Sequence, residues 1–143
     1  MPVEQISVFV ENHPGGLAVV AEALSAAGID IRAMSLADTT DFGVLRLIVN
    51  DAPRTQTVLR AAGYIVSVTP VLAAFMEDRP GGLARVLQIL ADAAVNVEYL
   101  YAFITRKAGN ALVILRVEDV DFAEKMLAKK GVQIADASTL LEL

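Results

Sequence analysis

Asn12 and Asp78 each stand two residues before a Pro-Gly-Gly run, Pro14-Gly15-Gly16 and Pro80-Gly81-Gly82, that opens a helical pattern. Glycines at a helix start leave the first N–H groups unobstructed. Those donors, with a partial positive charge of about +0.5, suit a carboxylate or a phosphate. Asn12 offers a donor and an acceptor, whereas Asp78 offers only acceptors and suits an ammonium group. An amide or acidic side chain beside a carboxylate-binding helix start is a minimal receptor for a zwitterionic amino acid. The same residues also read as helix caps around a tight turn, and their chemistry alone leaves both readings open.

These motifs are copies. Glu11 to Val20 returns as Glu77 to Val86, and positions 11–31 and 77–97 share nine of 21 residues without a gap. The copies differ where His13 faces Arg79, and Asp78 replaces Asn12. His13 is the one histidine and there is no cysteine. Disulfides, thiolate nucleophiles and cysteine-ligated metals are therefore excluded, and a lone histidine supplies neither a catalytic triad nor a metal site.

The elements that must position these turns repeat as well. Gln5 to Glu11 reads as a strand, and Leu17, Val20, Ala21 and Leu24 mark one face of a helix that Gly28 stops. Ile29 to Ala37 and Phe42 to Val49 read as strands joined by a turn at Asp38-Thr39-Thr40-Asp41. A helix begins at Pro53 and ends before Gly63, and Tyr64 to Val68 closes the unit. The second unit follows the same order. Strands are expected at Val71–Glu77, Asn96–Thr105, Ala111–Val117 and Val132–Ala135, with helices over Leu83–Leu90 and Asp121–Lys130 and a turn at Arg106–Asn110. Ser138 to Leu143 is surplus and suggests an edge strand or an interface segment.

This pattern predicts an α+β chain of two tandem ferredoxin-like β-α-β-β-α-β units, with antiparallel sheets and helices on one face. The units span 1–69 and 70–143, the latter with a short C-terminal extension. Units this small bury little surface alone, and strands such as Val44 to Val49 are apolar on both faces. Side-by-side joining into a larger sheet, within a chain or in a homodimer, would supply the missing cover. The chain of 143 residues is 55% apolar with a net charge of −5. That balance argues against a nucleic-acid partner. No apolar stretch approaches the roughly 20 residues of a membrane span, and no secretory signal is visible in Met1 to Gln5. A cytoplasmic location is expected, with no membrane association and no cofactor.

Asn12-His13-Pro14-Gly15-Gly16-Leu17 and Asp78-Arg79-Pro80-Gly81-Gly82-Leu83, each followed by an amphipathic helix, resemble the turn of ACT domains, regulatory modules that sense amino acids. The resemblance covers essentially the whole chain as a tandem pair. It implies a ligand between the first strand-to-helix loop and an adjoining second strand, often at an interface between modules. By position it points to Asn12, His13, Gly15, Gly16 and Leu17 with Met34 and Ser35. In the second copy it points to Asp78, Arg79, Gly81, Gly82 and Leu83 with Leu100 and Tyr101. It further implies a non-catalytic regulator whose ligand is coupled to module or subunit association, in partnership with an enzyme of amino-acid metabolism.

Two rival readings remain. One is a partner-binding regulatory subunit whose loops hold no small ligand. The other is an acylphosphatase-like enzyme, similar in fold, that would use Arg79 with Asn110. Tyr99, Tyr101 and Phe103 alternate along one strand and should share a face, packing or stacking. Arg46, mid-strand in an apolar run, is expected to reach the sheet edge or a carboxylate. Lys125, Lys129 and Lys130 read as a solvated helix end.

Overall fold

The computed structural model describes residues 3–38, 41–103 and 109–142. Thr39, Thr40, Thr105 and Arg106–Ala108, parts of two expected hairpins, lie outside the described residues. Alternation in β1, Val3–Glu11, turns Ile6, Val8 and Val10 to one face, where they are buried. Across the antiparallel pairing of Ile6 with Leu47 and Val8 with Leu45, β3 (Phe42–Val49) continues that apolar row. Val20 and Leu24 of α1 (Gly16–Ala26) and Leu59 of α2 (Ala52–Ala61) close over it. Both helices therefore cover the same face. Among the described residues the strand β2, Ile31–Asp38, pairs with β3 alone and forms one edge.

Pro53 sits in the first turn of α2, where Asp51 accepts a hydrogen bond from the Arg54 amide at 3.1 Å. The first unit, Glu4–Thr69, is completed by the start of β4, Val66–Glu77, in the order β4–β1–β3–β2. The second unit begins at Pro70 and reuses β4 as its own first strand. There β4 pairs with β6 (Asn110–Arg116), and β6 with β5 (Tyr99–Phe103). The short β7, Ile134–Ala135, lies on the other side of β4. Leu72, Ala74, Val113 and Leu115 meet Val86 and Leu90 of α3 (Gly82–Asp92) and Ala123 and Leu127 of α4 (Val120–Lys129). Each unit thus has its own core and its own β-α-β-β-α-β path.

Three expectations change. The strands expected at Tyr64–Val68 and Val71–Glu77 are one strand through Pro70. Proline's φ fits an extended chain, and Pro70 precedes the stretch from Leu72 to Glu77 that pairs with β6. The strand expected from Asn96 begins only at Tyr99. The surplus residues as far as Glu142 belong to a helix, α5 (Ala137–Glu142), instead of an edge strand, and Leu143 lies outside the described residues. Asp136 starts it by accepting from the Thr139 amide and hydroxyl, both at 2.8 Å. Tyr101 and Phe103 do share a face, paired with Ile114 and Leu112, and both are buried.

Candidate functional site

The two Pro-Gly-Gly turns have the same backbone geometry. In the first, the His13 amide donates to Glu11 O at 3.0 Å and the Gly16 amide to His13 O at 3.1 Å. In the second, Arg79 donates to Glu77 O at 2.9 Å and Gly82 to Arg79 O at 3.0 Å. Gly15 has φ 82° and ψ −9°, and Gly81 has φ 90° and ψ −12°. Proline at the second position and a left-handed third residue define a type II β-turn, which is why glycine stands at 15 and 81. The next glycine answers a different constraint. A Cβ on Gly16 would lie 2.7 Å from Glu11 O, and one on Gly82 would collide with Glu77 O.

The N-cap positions of α1 and α3 are Gly15 and Gly81, and neither has a side-chain cap bond. Asn12 and Asp78 stand three residues earlier and are not the N-cap residues. Instead their amides tie the loop to the neighbouring hairpin, Asn12 to Asp41 O at 3.0 Å and Asp78 to Gly109 O at 3.2 Å. The N–H groups of Leu17 and Ala18, and of Leu83 and Ala84, have no protein acceptor among the described residues. Neither helix carries an acidic residue in its first turn. Two donors with an uncompensated helix dipole are thus presented once per unit.

A basic or imidazole side chain sits beside each turn, paired with the glutamate two residues earlier. His13 Nε2 lies 3.2 Å from Glu11 Oε2, and its Nδ1 lies 3.0 Å from Pro14 O. Arg79 forms an ion pair with Glu77. Each turn borders an open cleft. The first, about 370 Å³, is lined by residues including Phe9, Glu11, His13, Val19, Phe42 and Ile65. Its counterpart, about 310 Å³, includes Phe75, Glu77, Arg79, Arg85, Asn110 and Gln133. Sequence reasoning did not single out Val19, Ile65, Arg85 or Gln133. The usable signal was the mismatch of Val19 with Arg85 inside an otherwise matched helix start.

The loop residues and the strand residues form separate groups within each unit. Asn12, His13, Gly15, Gly16 and Leu17 lie together, as do Asp78, Arg79, Gly81, Gly82 and Leu83. Ser35 pairs with Arg46, which pairs with Ser7. That row crosses β1 four residues before Glu11, or about 13 Å at the strand rise. Met34, beside Leu47, belongs to the opposite face and is 57% exposed. In the second unit Leu100 pairs with Leu115 while Tyr101 pairs with Ile114, so this pair also splits between faces. Leu100 is 38% exposed and Tyr101 is 8% exposed. The expected second-strand contacts are thus remote from the loop of their own unit.

A larger cavity, about 1090 Å³, lies elsewhere in the second unit beside Asn96, Glu98, Arg116, Asp119 and Phe122. Its polar groups hold their own loops. Arg116 lies 3.5 Å from Glu98 and donates to Pro70 O at 3.0 Å, while Asp119 accepts from the Phe122 amide at 3.0 Å.

The sequence profile of the ACT domain pair matches residues 1–143. The chain belongs to the ACT domain pair family. A crystal structure of a Bacteroides thetaiotaomicron protein is 34% identical, with a TM-score of 0.92 over 100% of this ACT pair and 98% of that chain. The regulatory subunit of aspartate kinase from Thermus thermophilus, in its ligand free form, shares the fold at 18% identity. Its TM-score is 0.67, over 90% of this chain and 91% of that one. Aspartate kinase from Synechocystis matches at 20% identity and a TM-score of 0.62, over 95% of this chain and 27% of that chain. No curated protein matches the sequence. Among the described residues of this ACT pair, no helix is long and apolar enough to cross a membrane.

Proposed function

We propose that this ACT pair is a non-catalytic cytoplasmic regulator that binds a small amino acid at the turn opening α1 and at its counterpart opening α3. One observation carries the reading: the repeated type II turn uses its own amides internally yet leaves two donors open at each helix start. A ligand carboxylate fits those donors, and Asn12 or Asp78 can accept from its ammonium group. Site residues on β2 and β5 are remote from the loop of the same unit, so any contact they make to a ligand requires a second module or a second chain. A homodimer supplies that arrangement. Ligand bridging would then be coupled to association, and an enzyme of amino-acid metabolism could read the change. The aspartate kinase regulatory subunit, alike in fold, is a precedent for such a partner.

The enzyme alternative has one point in its favour, since Arg79 and Asn110 border the same cleft. Beyond the two helix-start donors, the loop has little to give a phosphate. The Asp78, Arg79 and Gly82 amides are already bonded to Gly109, Glu77 and Arg79 carbonyls, and Pro80 has none to give. The Arg79 guanidinium is engaged by Glu77.

A thermal-shift screen across the twenty amino acids tests the proposal. A specific ligand at about 100 times its dissociation constant stabilises the folded state by roughly 2.7 kcal/mol. Asn12→Ala and Asp78→Ala should weaken that shift; lowered stability with affinity intact would instead assign both side chains a capping role. No shift with any amino acid would favour the partner-only reading, and turnover of an acyl phosphate would revive the enzyme.

A further inference from the structure

The two clefts share a backbone frame but not a lining. Equivalent turn hydrogen bonds agree closely in length, and each cleft is bounded by the same elements of its unit. Within that frame Val19 is replaced by Arg85, Phe42 by Asn110 and Ile65 by Gln133. The first cleft offers exposed apolar walls, with Val19 55%, Phe42 51% and Ile65 70% exposed. The second offers a guanidinium and two carboxamides at the same places.

The charge arithmetic of the second cleft is asymmetric. Arg79 is neutralised by Glu77, but Arg85 has no carboxylate partner among the described residues. Its Nη2 donates to Lys130 O at 2.5 Å, which anchors the guanidinium between α3 and the end of α4 with other N–H groups to spare. On a chain of net charge −5, a cation fixed in this way is not a reflection of bulk composition.

We propose that the second cleft selects an amino acid bearing a second carboxylate, and that the first cleft rejects it. The inference rests on the amino-acid reading above and names the ligand class for one of its two sites. The α-carboxylate takes the donors at the start of α3, and Glu77 or Asp78 accepts from the ammonium. The side-chain carboxylate meets Arg85 with Asn110 and Gln133 beside it. The open donors, Leu83 and Ala84, stand two residues and one residue before Arg85 on α3, and Arg85 lines the cleft.

Calorimetric titration of the intact protein with L-glutamate, L-aspartate, L-glutamine and L-leucine tests this. The expected result is one acidic amino acid bound per chain, at least tenfold tighter than glutamine. Arg85→Val, the residue of the first copy, should abolish that preference without changing the circular dichroism spectrum. Gln133→Ile should weaken it and serves as the second variant. The proposal is overturned if leucine is the tightest ligand, if acidic ligands bind two per chain, or if Arg85→Val leaves glutamate affinity unchanged. Tight leucine binding would spare the amino-acid reading and sink only this assignment, whereas silence from all four and from the wider screen would remove both.

Discussion

Two adjacent glycines in each turn do different work, and substitutions should separate them. Gly15→Ala places a Cβ on a residue at φ 82° with nothing within 4 Å of it, so its cost is backbone strain alone. About 1–2 kcal/mol is expected. Gly16→Ala adds a methyl group 2.7 Å from Glu11 O, which must move the strand end or the helix start. A loss of about 1–3 kcal/mol is expected, with altered amide shifts at Leu17 and Ala18 that Gly15→Ala does not show. Denaturant unfolding with amide NMR distinguishes the two. At the other end of the chain, hydrogen bonds from the Thr139 amide, then from the Thr139 and Ser138 hydroxyls, hold the Asp136 carboxyl down to about 2, below its ordinary 3.8. A lowered pKa stabilises the folded state above the unfolded value, and that contribution is lost as pH falls from about 3.8 through 2. Asp136→Ala should therefore fray α5 at neutral pH, while mutant and parent converge in acid. Exchange of the Thr139 amide reports it.

Helix endings obey one rule with one exception. The chain leaves α1, α2, α3 and α4 through a bond from the amide of Ile29, Tyr64, Val95 or Val132 to the carbonyl five residues back, at 2.8–3.1 Å. This closure needs a left-handed residue just before the donor. Gly28, Gly63 and Gly131 supply it after three helices, and Ala94, at φ 59°, supplies it after α3. Ala94→Gly removes the Cβ strain of about 1–2 kcal/mol but returns conformational entropy to the unfolded chain. A net gain of about 0.5–1 kcal/mol is expected in chemical denaturation. A loss of stability would show that Ala94 is held there by packing.

Across the whole chain, duplication produced two cores that can be tested position by position. Leu24 and Leu90 are equivalent, both with no exposed surface, one packed with Ile6, Leu47 and Leu59 and the other with Leu72, Leu115 and Leu127. Truncation of either to alanine should cost about 2–5 kcal/mol, the range for a buried leucine whose cavity collapses only in part. A much smaller loss at one site, measured by urea titration, would mean that its core repacks more easily.

The order of strands and helices was legible because its signals are local. Glycine and proline punctuate each unit, and apolar spacing switches between two and nearly four residues as strand gives way to helix. The paired turns at 14–16 and 80–82 could be read for the same reason. Ala94 could not, because its left-handed conformation is imposed by the closure of α3 and leaves no mark in residue type. Nor could the continuous β4, where proline at position 70 argues for a boundary although its fixed φ also fits an extended strand. The sequence by itself determined two copies of one fold and one turn. Only the tertiary structure decided what faces each turn, since Arg85, Asn110 and Gln133 come from three separate stretches that meet because the sheet folds them into one unit.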